Sequence, residues 1–183
     1  PSVSAFISIH NMCAKMIDTF ASDEMRAEWI PQLATFDKVA SYCLTEPGSG
    51  SDASALKTKA EKTNEGYALT GNKAFISGGG FSDVYLVMCR TGDAGPKGIS
   101  CVLVEDGAQG LSFGAQEKKM GWKAQPTAQV QFDGCAIPAK NLLGEEGRGF
   151  VYAMTGLDGG RLNISASALG GAQTALTAAS TYM

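Results

Sequence analysis

The sequence holds a single histidine in 183 residues. His10 alone cannot build a zinc site, and no Cys-x-x-Cys pair stands ready to help it. The five cysteines, at 13, 43, 89, 101 and 135, are odd in number and widely spaced. Most sit in apolar runs, so they read as small buried hydrophobes in a reducing compartment and not as a disulfide framework. Basic runs are missing and the formal net charge is −3, which argues against nucleic acid or an anionic membrane surface as partner. No apolar stretch is long enough to span a bilayer, and no signal peptide is visible. No Gly-x-Gly-x-x-Gly opens a helix after a strand, which disfavours a Rossmann dinucleotide site.

Glycine is what the chain has in excess: 23 residues, well above the usual share of about 7%. Many turns, and hence β structure, account for most of it. Residues 2–21 read as a helix buried on most sides, with one apolar stripe through Val3, Phe6, Cys13, Ile17 and Phe20 and a second through Ile9, Met12 and Met16. His10 lies among them, as a satisfied core residue. Ser22 reads as the N-cap of a second helix that carries Met25 and Trp29 on one face and is bent or ended at Pro31. From Val39 the period changes, and strands are expected near 39–45, 55–62, 67–70, 73–77, 84–91, 98–104 and 127–133. Gly71-Asn72 is the hairpin candidate between two of them. Val84–Cys89 is nearly all apolar, as in a strand covered on both faces, while Ala128–Asp133 alternates with Val130 and Phe132 inward. Helix returns from about Gly149 to Met183. The expected fold is α+β: the end of a helical domain (1–38), a central antiparallel β-barrel or sandwich (39–144), and the first helix of a helical bundle (145–183). The first residue is Pro and the last helix has no stop signal, so the expectation is an interior piece of a longer protein.

The chain is organised around Tyr42-Cys-Leu-Thr-Glu-Pro-Gly-Ser-Gly-Ser-Asp52. Pro47 stops the strand, and Gly48 and Gly50 allow positive φ and a close approach of backbone to a ligand. With the hydroxyls of Thr45, Ser49 and Ser51 this is a phosphate cradle that contains no Lys or Arg; the alternative is a solvated turn between strands. Glu46 reads as a turn-stabilising carboxylate. In the last helix Gly156, Gly159 and Gly160 fall within five positions, and each costs about 1 kcal/mol against Ala. Either close helix packing or a ligand passing over the backbone explains them. Arg161 lies among small apolar residues and needs a partner for its charge.

That stretch resembles the signature of the acyl-CoA dehydrogenase family of FAD flavoproteins. Two further blocks follow in order, Gly71-Asn-Lys-Ala-Phe-Ile-Ser-Gly78 and Leu142–Phe150 leading into Gly156-Leu-Asp-Gly-Gly-Arg161, so the resemblance covers nearly the whole chain. It implies that FAD is contacted by Tyr42, Leu44, Thr45, Gly50, Ser51, Phe75, Ile76 and Ser77. Phe75 would pack on the flavin ring, and Ser77 would bring a hydroxyl to its N5 edge. It implies acyl-CoA contacts from Ser51, Asp158, Gly159, Gly160 and Arg161. The implied reaction is α,β-dehydrogenation of a short or branched acyl-CoA, isobutyryl-CoA first, with electrons passed to an electron-transfer flavoprotein. A homotetramer and a bacterial cytoplasm or mitochondrial matrix are likewise implied. The family's general base stands either just before the matched arginine, where this sequence has Gly160, or in a later segment; no catalytic base is therefore expected in this chain, and no metal. Two rival readings stay open: a non-catalytic β-domain binding module, and a flavin oxidase or monooxygenase on the same fold. Bound flavin separates the first from the enzymes, and oxygen reactivity separates the second.

Overall fold

The computed structural model describes residues 2–183. Helix α1 spans Ser2–Phe20 and α2 spans Asp23–Ala34. Met12, Cys13, Met16 and Ile17 of α1 are buried, but Val3 is exposed, so the N-terminal turn is less covered than its apolar stripe suggests. The Ser22 hydroxyl caps α2 by accepting the Met25 amide at 3.2 Å, and Met25, Trp29 and Leu33 form its buried face. Pro31 neither ends nor stops this helix, which continues to Ala34. His10 is buried, and both ring nitrogens are engaged by backbone. Its Nε2 donates to the Leu33 carbonyl at 2.9 Å, and its Nδ1 accepts the Ala40 amide at 3.2 Å. That pairing sets the tautomer and occupies both ring nitrogens, as in a satisfied core histidine.

Seven strands form one sheet: β1 (Ala40–Cys43), β2 (Lys59–Lys62), β3 (Gly66–Ser77), β4 (Val84–Arg90), β5 (Ile99–Glu105), β6 (Leu111–Phe113) and β7 (Thr127–Pro138). The order is β1-β4-β2-β3-β7-β6, with β5 on the other edge of β4. The sheet is mixed, which corrects the expected antiparallel one. Both β1 and β2 run parallel to β4, β1 along Val84–Val87 and β2 at Arg90. They share one edge of β4, and the chain between them leaves the sheet and returns. A second correction concerns Gly71-Asn72, which is no hairpin. It lies inside the single twelve-residue strand β3, at a register shift against β7 between Leu69 and Gly71. Gly71 has φ 150, and a Cβ there would come within 2.5 Å of Thr58 Oγ1, so the position admits only glycine. The three-residue β6 carries too little alternation to be read in advance.

Two apolar clusters result. One packs Met16, Trp29 and Leu33 against Leu86, Met88 and Leu103, and also takes in Tyr152 and Ala153. The other fills the opposite face with Leu69, Tyr85, Val87, Val130 and Phe132. Strand β4 is thus covered on both sides, as its composition requires, and Gln129 and Gln131 of β7 point outward. All five cysteines are free and buried. Helix α3, Gly149–Tyr182, contributes only Gly149, Tyr152, Ala153 and Gly156 to buried positions, and its C-terminal half packs on nothing in this chain.

Candidate functional site: a cleft between sheet, loop and helix

Between β1 and β2 the chain makes an excursion, residues 44–58, whose two ends are held on β4. Glu46–Ser49 is a tight turn closed by reciprocal backbone bonds of 3.0 and 3.1 Å. Ser49 is buried, and its hydroxyl donates to the Asp52 carbonyl at 2.6 Å, so it is not free to cradle an anion. Gly48 and Gly50 are absent from the positive-φ positions, which corrects the reason given for them. Their value is space: a Cβ at either would meet nothing within 4 Å. At the far end Arg90 clamps the loop, donating from Nη2 to the Ser54 and Leu56 carbonyls at 2.9 and 3.1 Å.

A buried ion pair fastens the middle. Lys73 Nζ lies 2.8 Å from Glu46 Oε1, with the lysine side chain fully buried, and donates to the Leu44 carbonyl at 3.1 Å. The same carboxylate accepts the amides of Lys57 at 2.7 Å and Thr58 at 2.9 Å. Burial pushes the Glu46 carboxyl up, but the Lys73 charge and these N–H donors outweigh it, and the group settles below its ordinary value. Burial pulls the Lys73 ammonium down against the pull of Glu46. We read the pair as ionised at neutral pH, because the carboxylate gathers three N–H groups that a neutral acid could not hold as well. Glu46 is therefore the structural carboxylate that its place before Pro47 suggests.

The excursion, the ends of β1 and β3, and α3 enclose an open cleft of about 450 Å³. All eight residues implied for the cofactor line it: Tyr42, Leu44, Thr45, Gly50, Ser51, Phe75, Ile76 and Ser77. Tyr42 ties the two walls together, its hydroxyl donating to the Ala153 carbonyl of α3 at 3.2 Å; burial pushes its pKa well up, so it stays a neutral donor. The Thr45 carbonyl accepts the Ala74 amide at 2.9 Å and brings the loop onto β3. Phe75 has φ 57 and is 67% exposed, at a second register shift of β3 between Lys73 and Ile76. A bulky residue held left-handed with its ring turned out of the core is the kind of strain found at binding sites. Ser77 Oγ accepts the side-chain amide of the buried Gln125.

The residues implied for the acyl-CoA are less gathered. Ser51 and Arg161 line the cleft. Arg161 is not buried, contrary to what its small neighbours suggest. Its side chain is 68% exposed and pairs with Asp158 Oδ1 at 2.9 Å. Gly159 lies instead on a second cleft between α1 and α3, and a Cβ at Gly160 would approach Met12 Sδ at 3.3 Å. At Gly156 a Cβ would stand 2.7 Å from the buried Met16 sulfur, so helix packing accounts for that glycine; nothing within 4 Å accounts for Gly159. Ile9, Phe150, Met154 and Leu157 supply an apolar side to the main cleft; Phe150 and Leu157 fall in the third block, but the resemblance assigns none of the four a site role. Lys73 lies in the Gly71–Gly78 block and Gln125 in the run Gly121-Trp-Lys-Ala-Gln-Pro-Thr127, which adds to the resemblance, but no local pattern gives either residue a role. Asp52 is the one carboxylate on the cleft among the described residues, and it is exposed and accepts the Ser54 hydroxyl at 2.7 Å. Among the described residues no cluster could hold a metal ion, and no helix is long and apolar enough to cross a membrane.

The profile of the acyl-CoA dehydrogenase middle domain matches residues 41–135. The chain is 59% identical over 179 residues to the mitochondrial isobutyryl-CoA dehydrogenase of Dictyostelium discoideum, covering 97% of this chain and 43% of that protein. It is 56% identical over 182 residues to the mitochondrial isobutyryl-CoA dehydrogenase of Bos taurus, covering 100% of this chain and 44% of that protein. Among solved structures it superposes on butyryl-CoA dehydrogenase from Megasphaera elsdenii with a TM-score of 0.90 and 40% identity, over 96% of this chain and 46% of that one. The chain thus spans less than half the length of the curated relatives it matches.

Proposed function

The chain belongs to the acyl-CoA dehydrogenase family, and on that premise we propose that it forms the cofactor and substrate walls of an FAD-dependent dehydrogenase of short branched acyl-CoA thioesters. Isobutyryl-CoA is the first candidate substrate, which the names of the two relatives support. The observation that carries the reading is the convergence of all eight expected cofactor residues, from two separate stretches, on one cleft. The residues present fit the group. Gly50 leaves open space where a side chain would intrude, Phe75 turns an exposed ring to the rim, and Thr45, Ser51 and Ser77 bring hydroxyls to the lining.

When bound, FAD would supply the acceptor for the hydride that leaves Cβ as the α-proton is removed. The chain's own part is to hold and shield. Tyr42 and the Lys73–Glu46 pair fix the distance between loop, sheet and helix. Ile9, Met154 and Leu157 exclude water from one side. Ser77 offers a hydroxyl where negative charge develops. Ser51 and Arg161 take the phosphate-bearing part of the thioester, with Asp158 orienting the guanidinium; Gly159 and Gly160 lie on the α1 side of the helix, away from this wall. We assign no base within this chain: Gly160 precedes Arg161, and Asp52 is an exposed loop residue bonded to Ser54. The three-part division at residues 38 and 144, a homotetramer, delivery of electrons to an electron-transfer flavoprotein, and a mitochondrial matrix or bacterial cytoplasmic setting belong to the same proposal. The test is the visible spectrum of the full-length protein, followed by isobutyryl-CoA-dependent bleaching of its flavin. A yellow protein bleached by isobutyryl-CoA supports the reading, and a protein that takes up no FAD overturns it.

A further inference from the structure

Gln125 is 5% exposed and lies in the wall between the cofactor cleft and an outer groove beside Lys119 and Phe81. Its backbone is locked on both sides: the amide donates to the Trp122 carbonyl at 3.0 Å, and the carbonyl accepts Lys119 Nζ. The side chain reaches Ser77 Oγ through Nε2, and Oε1 has no partner among the described residues. The amide's orientation follows from what each choice leaves unpaired. As it stands, one carbonyl oxygen goes without a donor. Reversed, an –NH2 group with two donors would be stranded in the same buried place, which proteins tolerate less well than an under-satisfied carbonyl. Gln125 is therefore the donor and Ser77 Oγ the acceptor. The hydroxyl's own proton must then point elsewhere, and the open side of Ser77 is the cleft.

We propose that Gln125 is a positioning residue that commits the Ser77 hydroxyl to donate into the cleft. This rests on the reading of the cleft as a flavin site. A donor held there stabilises negative charge on whatever group sits against Ser77, and one held by a second buried residue does so without reorganising. Gln125→Glu tests it with little change of shape, because the carboxylate accepts from Ser77 and turns the proton away from the cleft. Gln125→Met removes the contact without adding charge.

Each variant is made in the full-length protein and in a Ser77→Ala background. The readouts are FAD uptake, the flavin absorption band, the midpoint potential and the melting temperature. Both variants are expected to retain FAD, to shift the band, and to disfavour the reduced form about tenfold, or about 30 mV for a two-electron couple. Gln125→Met is expected to add nothing once Ser77 is Ala. If the Met variant fails to fold, Gln125→Glu alone carries the comparison. Unchanged potential and spectrum in Gln125→Glu would overturn the assignment, as would a Gln125→Met shift that persists undiminished in the Ser77→Ala background. A wild-type protein that takes up no FAD overturns the reading of the cleft and this assignment with it, whereas a yellow wild type with insensitive variants overturns this assignment alone.

Discussion

Replacing Lys73 by Met should be among the most damaging single changes available in this chain. The lysine side chain is fully buried, and among the described residues its ammonium is the only counter-charge on Glu46, 2.8 Å away. Without it the carboxylate keeps the Lys57 and Thr58 amides at 2.7 and 2.9 Å but becomes a buried, unpaired charge. Breaking a buried pair from one side costs about 3–5 kcal/mol, a large part of a typical domain stability of about 5–15 kcal/mol. Glu46→Gln should cost a comparable amount from the other side, since it strands the ammonium against the Leu44 carbonyl. Lys73→Met with Glu46→Gln should cost clearly less than the sum, because neither charge is left behind and Gln still accepts one amide. Urea unfolding of the four proteins measures this. The pH dependence has a defined sign. The Glu46 carboxyl lies below its ordinary value of 4.5 in the folded state. The stability it contributes is therefore complete above that value and is lost as pH falls through the folded-state pKa. Lys73→Met removes what holds it down, so this acid-linked loss should shrink or reverse, and the variant's deficit against wild type should narrow as pH falls. Single variants that each cost under about 1 kcal/mol, well below the range for a buried pair, or a double variant equal to the sum, would refute the claim that this pair fastens the loop.

Other substitutions separate packing from binding. Gly71→Ala places a Cβ within 2.5 Å of Thr58 Oγ1 at φ 150, and should lower stability by about 2 kcal/mol or more in chemical unfolding. Gly159→Ala meets nothing within 4 Å and should stabilise α3 by up to about 1 kcal/mol, while Gly156→Ala, 2.7 Å from the Met16 sulfur, should lose that gain to the clash. If Gly159 is kept small for the thioester, its Ala variant should melt higher yet raise KM for isobutyryl-CoA; unchanged KM would leave the glycine without that role. Phe75→Gly relieves a left-handed phenylalanine at φ 57 and should raise the melting temperature of the flavin-free protein, worth about 1 kcal/mol, while FAD dissociates faster. Tighter FAD retention in that variant would contradict the placing of Phe75 against the cofactor.

Features set by neighbours a few residues apart were legible before any tertiary contact was known. Helical period marked α1, Ser22 marked the start of α2, and alternation marked Val130 and Phe132 as inward. An apolar run marked β4 as covered on both faces, and Glu46 before Pro47 marked a structural turn carboxylate. Three separated blocks pointed to one family, and the cleft gathers cofactor-type residues from two of them and Arg161 from the third. Features that depend on which distant segments meet emerge only in the folded chain. The parallel pairing of β1 and β2 with β4 follows from both returning to one edge, which no local pattern encodes. Gly71-Asn72 has hairpin chemistry, yet β3 runs through it because β7 offers twelve residues of partner and Thr58 fills the glycine's open side. Lys73 and Glu46 stand 27 residues apart, and Gln125 and Ser77 stand 48 apart. Their charges and amides acquire meaning only once burial removes water as the competing partner. Arg161 shows the converse: among small residues it looks enclosed, but its side chain remains in solvent, paired with Asp158.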